Sequence, residues 1–198
     1  MLSKLLLKAT IVLISCIITI NSFGQYREVQ RPSDVKQKLS AFDNIKGLNS
    51  KSTSDDLFNR LGEANEVKEG TDSDGDSFQN WIYKIGEYYF ILTVDNRTDR
   101  LVSYSISAGI DLYSAFPKDE IEQKINKSKK LFAYYFGDDE IWQYGLLLKS
   151  EFIKEFGQPN RESGQTMYYI NGNSQVIFGY DIKNRRCLNL QVRLNKSQ

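Results

Sequence analysis

Three groups of side chains in this chain have the types and spacing to do chemistry. Asp72, Asp74 and Asp76 alternate through Asp72-Ser73-Asp74-Gly75-Asp76, and clustered carboxylates suit a hard cation such as calcium. An EF-hand loop starting at Asp72 would need Gly where Ser77 stands and a bidentate Glu where Tyr83 stands. Asp-Gly between strand patterns is also ordinary turn chemistry. These aspartates are a weak calcium candidate, and no metal site is assigned. Ser33 and Lys36 match Ser-x-x-Lys, a nucleophile with its amine, without the companion motifs of the penicillin-recognising enzymes; the pair reads as a helix start. Cys187 lies in a strand pattern and reads as a small buried hydrophobe. Trp142 and Tyr144 stand beside a Leu run and read as core.

The chain has no histidine. That removes Ser–His and Cys–His nucleophile pairs, His-based zinc sites and the commonest general base. No Gly-rich phosphate loop follows a strand. The expectation is a protein without catalytic residues and without a cofactor.

Residues 1–24 read as a secretory signal: Lys4 and Lys8, an apolar run from Ala9 to Ile20, and Ser22-Phe23-Gly24 before Gln25. Cys16 ends a lipobox-like Leu13-Ile14-Ser15-Cys16, but Ile17, Ile18 and Ile20 continue the apolar run past it, which argues against lipid anchoring there. The expected location is periplasmic or extracellular. Lys and Arg total 26 against 25 Asp and Glu; without Lys4 and Lys8 the balance is 24 to 25, or −1. A near-neutral chain has no polycationic signature for nucleic acid or acidic membrane. Lys127, Lys129 and Lys130 read as a solvated turn. One cysteine remains beyond the signal, so stability must come from a packed core rather than an internal disulfide.

The elements around these residues fall into two similar stretches. Gly47-Leu48, Lys51-Ser52, Leu57, Leu61-Gly62 and Asn65 are echoed by Gly145-Leu146, Lys149-Ser150, Phe152, Phe156-Gly157 and Asn160. Upstream, Pro32-Ser33-Asp34 and Pro117-Lys118-Asp119 each open a helical pattern. Downstream, each stretch runs into strand patterns, with hairpin signals at Ile85-Gly86 and Asn171-Gly172. The expectation is an α+β fold of two tandem helix–helix–antiparallel meander units, 32–107 and 117–194, behind a leader at 25–31 and joined by 108–116. Helices should cover one face of each sheet. Ser52 to Ser54 and Ser150 are the expected N-caps of the second helices. Residues 130–148 are expected to form a hairpin, with a helix over 138–148 as the alternative.

Strand alternation assigns the faces. Phe90, Leu92, Val94, Val102, Tyr104 and Ile106 share one face, matched by Val176, Phe178, Tyr180, Leu188, Leu190 and Val192. This is the expected core. The opposite face carries Ile82, Tyr89, Ile91 and Leu101 in one unit and Tyr168 and Ile177 in the other. A half-apolar open face must either pack between the two units or meet a partner; as a partner surface, these six are the candidate binding residues.

Leu61-Gly62-Glu63-Ala64-Asn65 before Trp81, and Gly145-Leu146, Ser150 and Phe156-Gly157-Gln158-Pro159-Asn160 before Tyr168, resemble the α/β repeat of the β-lactamase inhibitor protein and of the SmpA/BamE-type outer-membrane-assembly lipoproteins. The resemblance implies action by protein–protein contact rather than catalysis. Two functions therefore stand: an exported protein-binding module, inhibitor-like or assembly-like, using the open sheet face; and a small-molecule carrier or sensor with an aromatic pocket between the units.

Overall fold

The computed structural model describes residues 26–109, 112–137, 139–172 and 174–194. The signal-like segment 1–24, with Cys16, lies outside the described residues. The chain is α+β, with five helices among the described residues: α1 Ser33–Ala41, α2 Ser54–Leu61, α3 Lys118–Phe136, α4 Ile141–Tyr144 and α5 Lys149–Phe156. The strands are β1 Glu66–Thr71, β2 Ser77–Ile85, β3 Tyr88–Asp95, β4 Arg100–Ala108, β5 Arg161–Ser163, β6 Thr166–Asn171, β7 Ser174–Tyr180 and β8 Cys187–Arg193. All eight form one antiparallel sheet, in the order β1-β2-β3-β4-β8-β7-β6-β5. No helix among the described residues is long and apolar enough to cross a membrane.

The two halves of the chain make the same local bonds. After each of α2 and α5 the chain turns at a glycine of positive φ, Gly62 (78°) and Gly157 (71°), a region that L side chains enter at a cost. The Gly62 carbonyl accepts Tyr83 Oη at 3.1 Å, and the Gly157 carbonyl accepts Tyr169 Oη at 3.0 Å. Three residues past each glycine an Asn side chain accepts a strand N–H, Asn65 from Lys84 at 2.7 Å and Asn160 from Ile170 at 2.9 Å. The hairpin closures also correspond, Ile85 with Tyr88 and Asn171 with Ser174, so Asn171 ends its strand and the turn begins at Gly172. At Gly86 a Cβ would collide with Ser128 Oγ of α3, so the turn needs glycine for space as well as for its φ of 64°.

One register shift in each half changes the expected faces. β3 and β4 slip between Thr93 and Val94, and β7 and β8 slip between Gly179 and Tyr180. Each is a β-bulge, which adds a residue to one strand and reverses the alternation beyond it. A residue of positive φ precedes both, Asp99 (48°) and Arg185 (56°). As a result Leu101 pairs with Val94 and is 1% exposed in the core, while Val102 turns to the other face. Likewise Cys187 pairs with Tyr180 and is fully buried, while Leu188 is only partly so. Leu101 is therefore a core residue, not part of a binding surface. Val102 and Leu188 leave the expected core, and Cys187 joins it as the small buried hydrophobe its context suggested.

Residues 130–136 do not form a hairpin strand. They complete α3, whose buried stripe Ile121, Ile125, Ser128, Phe132 and Phe136 follows helical spacing throughout. The alternation of Phe132, Tyr134 and Phe136 is incidental: Phe132 and Phe136 lie at i and i+4 on the buried side, and Tyr134 points out. Lys127, Lys129 and Lys130 accordingly stand on a helix, not in a turn. The four-residue α4 replaces the longer helix over 138–148. Ser150 is also no cap. Leu148 holds the N-cap position of α5, and Glu151 accepts its N–H at 2.7 Å, just as Asp56 accepts that of Thr53 at 2.9 Å ahead of α2. Thr53 corresponds to Leu148, so Lys51-Ser52 and Lys149-Ser150 occupy different places in the fold.

The core is aromatic. Phe152 of α5 lies 4.2 Å from Phe178 and 5.3 Å from Tyr169, ring to ring. Phe136 of α3 meets Phe90 at 4.9 Å, edge to face. The connection 108–116 is more than a linker, because Leu112 and Tyr113 are buried and Tyr113 Oη bonds both Tyr88 Oη and the Cys187 carbonyl. Burial pushes the phenols of Tyr88, Tyr104 and Tyr169 well up, and that of Tyr113 up to about 12. Unfolded phenols lose their protons near the usual 10.0, while the folded ones keep theirs. Their contribution to stability is therefore complete below that pH and is lost as pH rises above it. Melting temperature measured from about pH 8 to about pH 11.5 is expected to hold and then fall above about pH 10, with phenolate absorbance rising together with unfolding. These phenols ionising in the folded state at pH 10 would contradict this.

Candidate functional interface

The two halves meet edge to edge. β4 pairs with β8 from Ser103–Arg193 to Ser107–Asn189, which makes one continuous open face across both. The face is therefore not consumed by packing one half on the other. The side chains of Ser107 and Asn189 bond across this seam at 2.7 Å.

The pairing places the expected site residues in registered rows. One row reads Arg161, Tyr168, Ile177, Gln191, Ser105, Ile91, Ile82 and Glu66 from β5 to β1. It contains four of the six candidates, Ile82 and Ile91 on one side of the seam and Tyr168 and Ile177 on the other. At about 4.8 Å per strand, Ile91 and Ile177 are about 14 Å apart across Ser105 and Gln191. Tyr89 lies in the next row, opposite Lys84 and Ser107, and is 37% exposed. Ile177 is on this face but only 7% exposed, so it supports the surface rather than offering contact area. Leu101, as described, is on the core side.

Two hollows flank the seam. One, of about 560 Å³, is floored by Ile91, Val102, Ser103 and Ser105, with Phe78 beside them and Asp72, Asp76 and Asp95 towards one end. The other, of about 420 Å³, is lined by Tyr168, Ile177, Leu188 and Asn189. Gln191 and Arg193 line both. Sequence reasoning missed Val102, Ser103, Ser105 and Phe78. Val102 was hidden by the bulge, and the two serines are small polar residues without a chemical signature.

Tyr26 was also missed. The stretch read as a polar leader docks on the second half. Arg27 N–H donates to the Asn160 carbonyl at 3.0 Å, and Asn160 Nδ2 returns a bond to the Arg27 carbonyl at 3.0 Å. Arg31 reaches the Phe156 and Gln158 carbonyls past the end of α5, and Asn160 Oδ1 at 2.8 Å. Tyr26 then lies edge-on to Tyr168 at 6.0 Å, with Arg161 over both rings and Gln175 Nε2 donating to its hydroxyl at 2.8 Å. Tyr26, 41% exposed, extends the aromatic end of the open face.

The aspartates of the calcium candidate form the β1–β2 turn. Asp72 Oδ1 accepts the N–H groups of Asp74 (2.9 Å) and Asp76 (3.0 Å), as in an Asx turn. No group of three or more His, Cys, Asp or Glu side chains among the described residues could hold a metal ion. Ser33 and Lys36 both lie in the first turns of α1.

The chain matches no described protein family and no curated protein. Among solved structures it is similar to a DUF4309 family protein (YjgB) from Bacillus subtilis, at 11% identity and TM-score 0.49 over 82% of this chain and 94% of that one. It is also similar to a cysteine-rich secretory protein from Staphylococcus aureus, at 11% identity and TM-score 0.41 over 77% of this chain and 48% of that one. A third is an extracellular protein containing an SCP domain from Bacillus anthracis, at 10% identity and TM-score 0.38 over 88% of this chain and 50% of that one. The chain spans about half the length of the last two.

Proposed function

We propose that the protein is an exported, non-catalytic binding module in which two copies of one helix–meander unit, joined at β4 and β8, present their open sheet face to a partner protein. Export rests on the signal-like residues 1–24. The two-copy reading is supported by the matched Tyr–Gly and Asn–strand bonds and the matched bulges. The resemblance to the β-lactamase inhibitor and SmpA/BamE-type repeats belongs to this reading, carried by Leu61-Gly62-x-x-Asn65 and Phe156-Gly157-x-Pro159-Asn160 rather than by the Lys-Ser pairs.

The observation that carries the binding role is the row that leaves Ile82, Ile91 and Tyr168 on one face of a sheet not packed against the other half. Eight strands at about 4.8 Å, averaging about 23 Å in length, give a face of about 900 Å², close to one side of a standard protein interface. Tyr residues at its edges are of the kind that concentrates binding energy. The carrier reading has less support. Phe42, Tyr144 and Phe156, which would line a pocket between the halves, pack on one another with centroids 4.9 to 5.5 Å apart.

The test is the double variant Tyr89→Asp with Ile91→Asp. It is expected to melt with the wild type, within the ±0.5 kcal/mol or so typical of surface changes, and to lose the partner that the wild type retains from an envelope extract. Collapse of the fold would show that the face is core. A folded variant that keeps the partner would move the binding surface elsewhere.

A further inference from the structure

The outermost line of α3 is Gln123, Lys127, Lys130 and Tyr134, spaced i, i+4, i+7 and i+11 opposite the buried stripe from Ile121 to Phe136. From Gln123 to Phe136 the helix has four lysines and no acidic residue. No ion pair among the described residues involves Lys127, Lys129 or Lys130, whereas Lys124 is taken by Glu87 at 3.2 Å. The line ends in an exposed aromatic pair. Tyr134 is 83% exposed, Tyr135 is 44% exposed, and their rings meet edge to face at 5.6 Å. Lys46 adds a fifth ammonium at this end, on the Tyr135 carbonyl. Glu122 lies within the helix but is taken by Arg186, and Glu87 faces the helix from the β2–β3 turn, on Lys124. Asp119 and Glu120 are in the first turn, and past the helix Asp139 is engaged by the backbone N–H groups of Lys46 and Ile141.

We infer that this face of α3 rests on an anionic lipid surface. The site is separate from the open sheet face, so it stands or falls independently of the partner reading. Unpaired lysines along one helix face gain from a negative surface potential over about one Debye length. An exposed Tyr at the end of the line matches the depth at which an amphipathic ring, apolar in body and polar at its tip, sits in a headgroup layer. The apolar side of α3 is spent on the core, so the attachment is electrostatic, shallow and reversible, and α3 does not insert. A helix face held straight by packing meets a flat surface with Lys127 and Lys130 together, while Lys129 lies around the helix from them and adds only to the local field. The net charge conceals this, because the acidic residues balancing these lysines lie elsewhere.

The test is co-sedimentation of the purified full chain with vesicles of phosphatidylcholine alone or mixed with phosphatidylglycerol. A variant Lys127→Glu with Lys130→Glu is run beside it. Both proteins share the same N-terminus, so any insertion of its apolar run is common to both. The wild type is expected to bind the anionic vesicles at least about tenfold more tightly than the neutral ones, and to lose that preference in about 0.5 M NaCl. The variant should lose it at low salt while melting unchanged, and Tyr134→Ala should weaken it in part. Equal binding of wild type and charge-reversal variant to anionic vesicles would overturn the inference. So would lysine-dependent capture by polyglutamate with none by vesicles, which would assign the face to an acidic protein.

Discussion

Replacing Phe152 by Ala is expected to cost about 3–5 kcal/mol of folding stability, the range for deleting a buried aromatic. Phe152 is fully buried, and its ring meets those of Tyr144, Phe156, Tyr169 and Phe178 within 4.2 to 6.4 Å. These partners come from α4, α5, β6 and β7, so no single element can move in to close the gap. Domains of this size have about 5–15 kcal/mol in total, and the loss is a large share of it. Phe58, one turn from the end of α2 and 55% exposed, is the control; Phe58→Ala should stay within about 0.5 kcal/mol. Urea midpoints of the two variants measure the contrast. Equal midpoints would mean that the second half is not packed as described.

The second large effect is an asymmetry between two matched asparagines. Asn65 is exposed and makes one side-chain bond, to Lys84 N–H. Asn160 is 8% exposed and makes three, to Ile170 N–H, Arg31 Nη2 and the Arg27 carbonyl. Asn65→Ala should cost about 1 kcal/mol or less, since water reaches the freed N–H. Asn160→Ala leaves several partly buried groups unpaired and should cost about 2–4 kcal/mol. It should also release the docked segment. Trypsin would then cut after Arg27 well before global unfolding, and the shielding of Tyr168 by Tyr26 would be lost. Equal costs for the two variants would show that the segment contributes nothing to the second half.

Much of this fold was legible because local chemistry fixes it. The glycines after α2 and α5, the hairpin at Ile85 and Tyr88, and the alternation of Phe90, Leu92 and Val94 each follow from a local conformational or periodicity rule. The departures arise where something non-local decides. The two bulges each add a residue that no hydrophobic pattern announces, and they exchange Leu101 with Val102 and Cys187 with Leu188 across the sheet. Around Phe132 the sequence supports both periods, and the helix prevails because Ile121, Ile125 and Ser128 extend the longer one. The docked leader was opaque because its bonds reach residues about 130 positions away, from two arginines and a tyrosine that read as solvent-facing. Of the candidate site, Ile82, Tyr89, Ile91 and Tyr168 were placed on the correct face by alternation alone. That their rows run unbroken across both halves depends on the β4–β8 pairing, which the sequence does not display.

The central claim, that the open sheet face binds a partner protein, is tested most directly by a photo-cross-linking residue placed at Ile91 or Tyr168 in cells, with Lys154 on the exposed side of α5 as the control. Positions 91 and 168 are both expected to cross-link to the same protein, position 154 is not, and Tyr89→Asp should remove the product. Cross-links of equal yield at all three positions, or none at 91 and 168 in a folded protein, would contradict the claim.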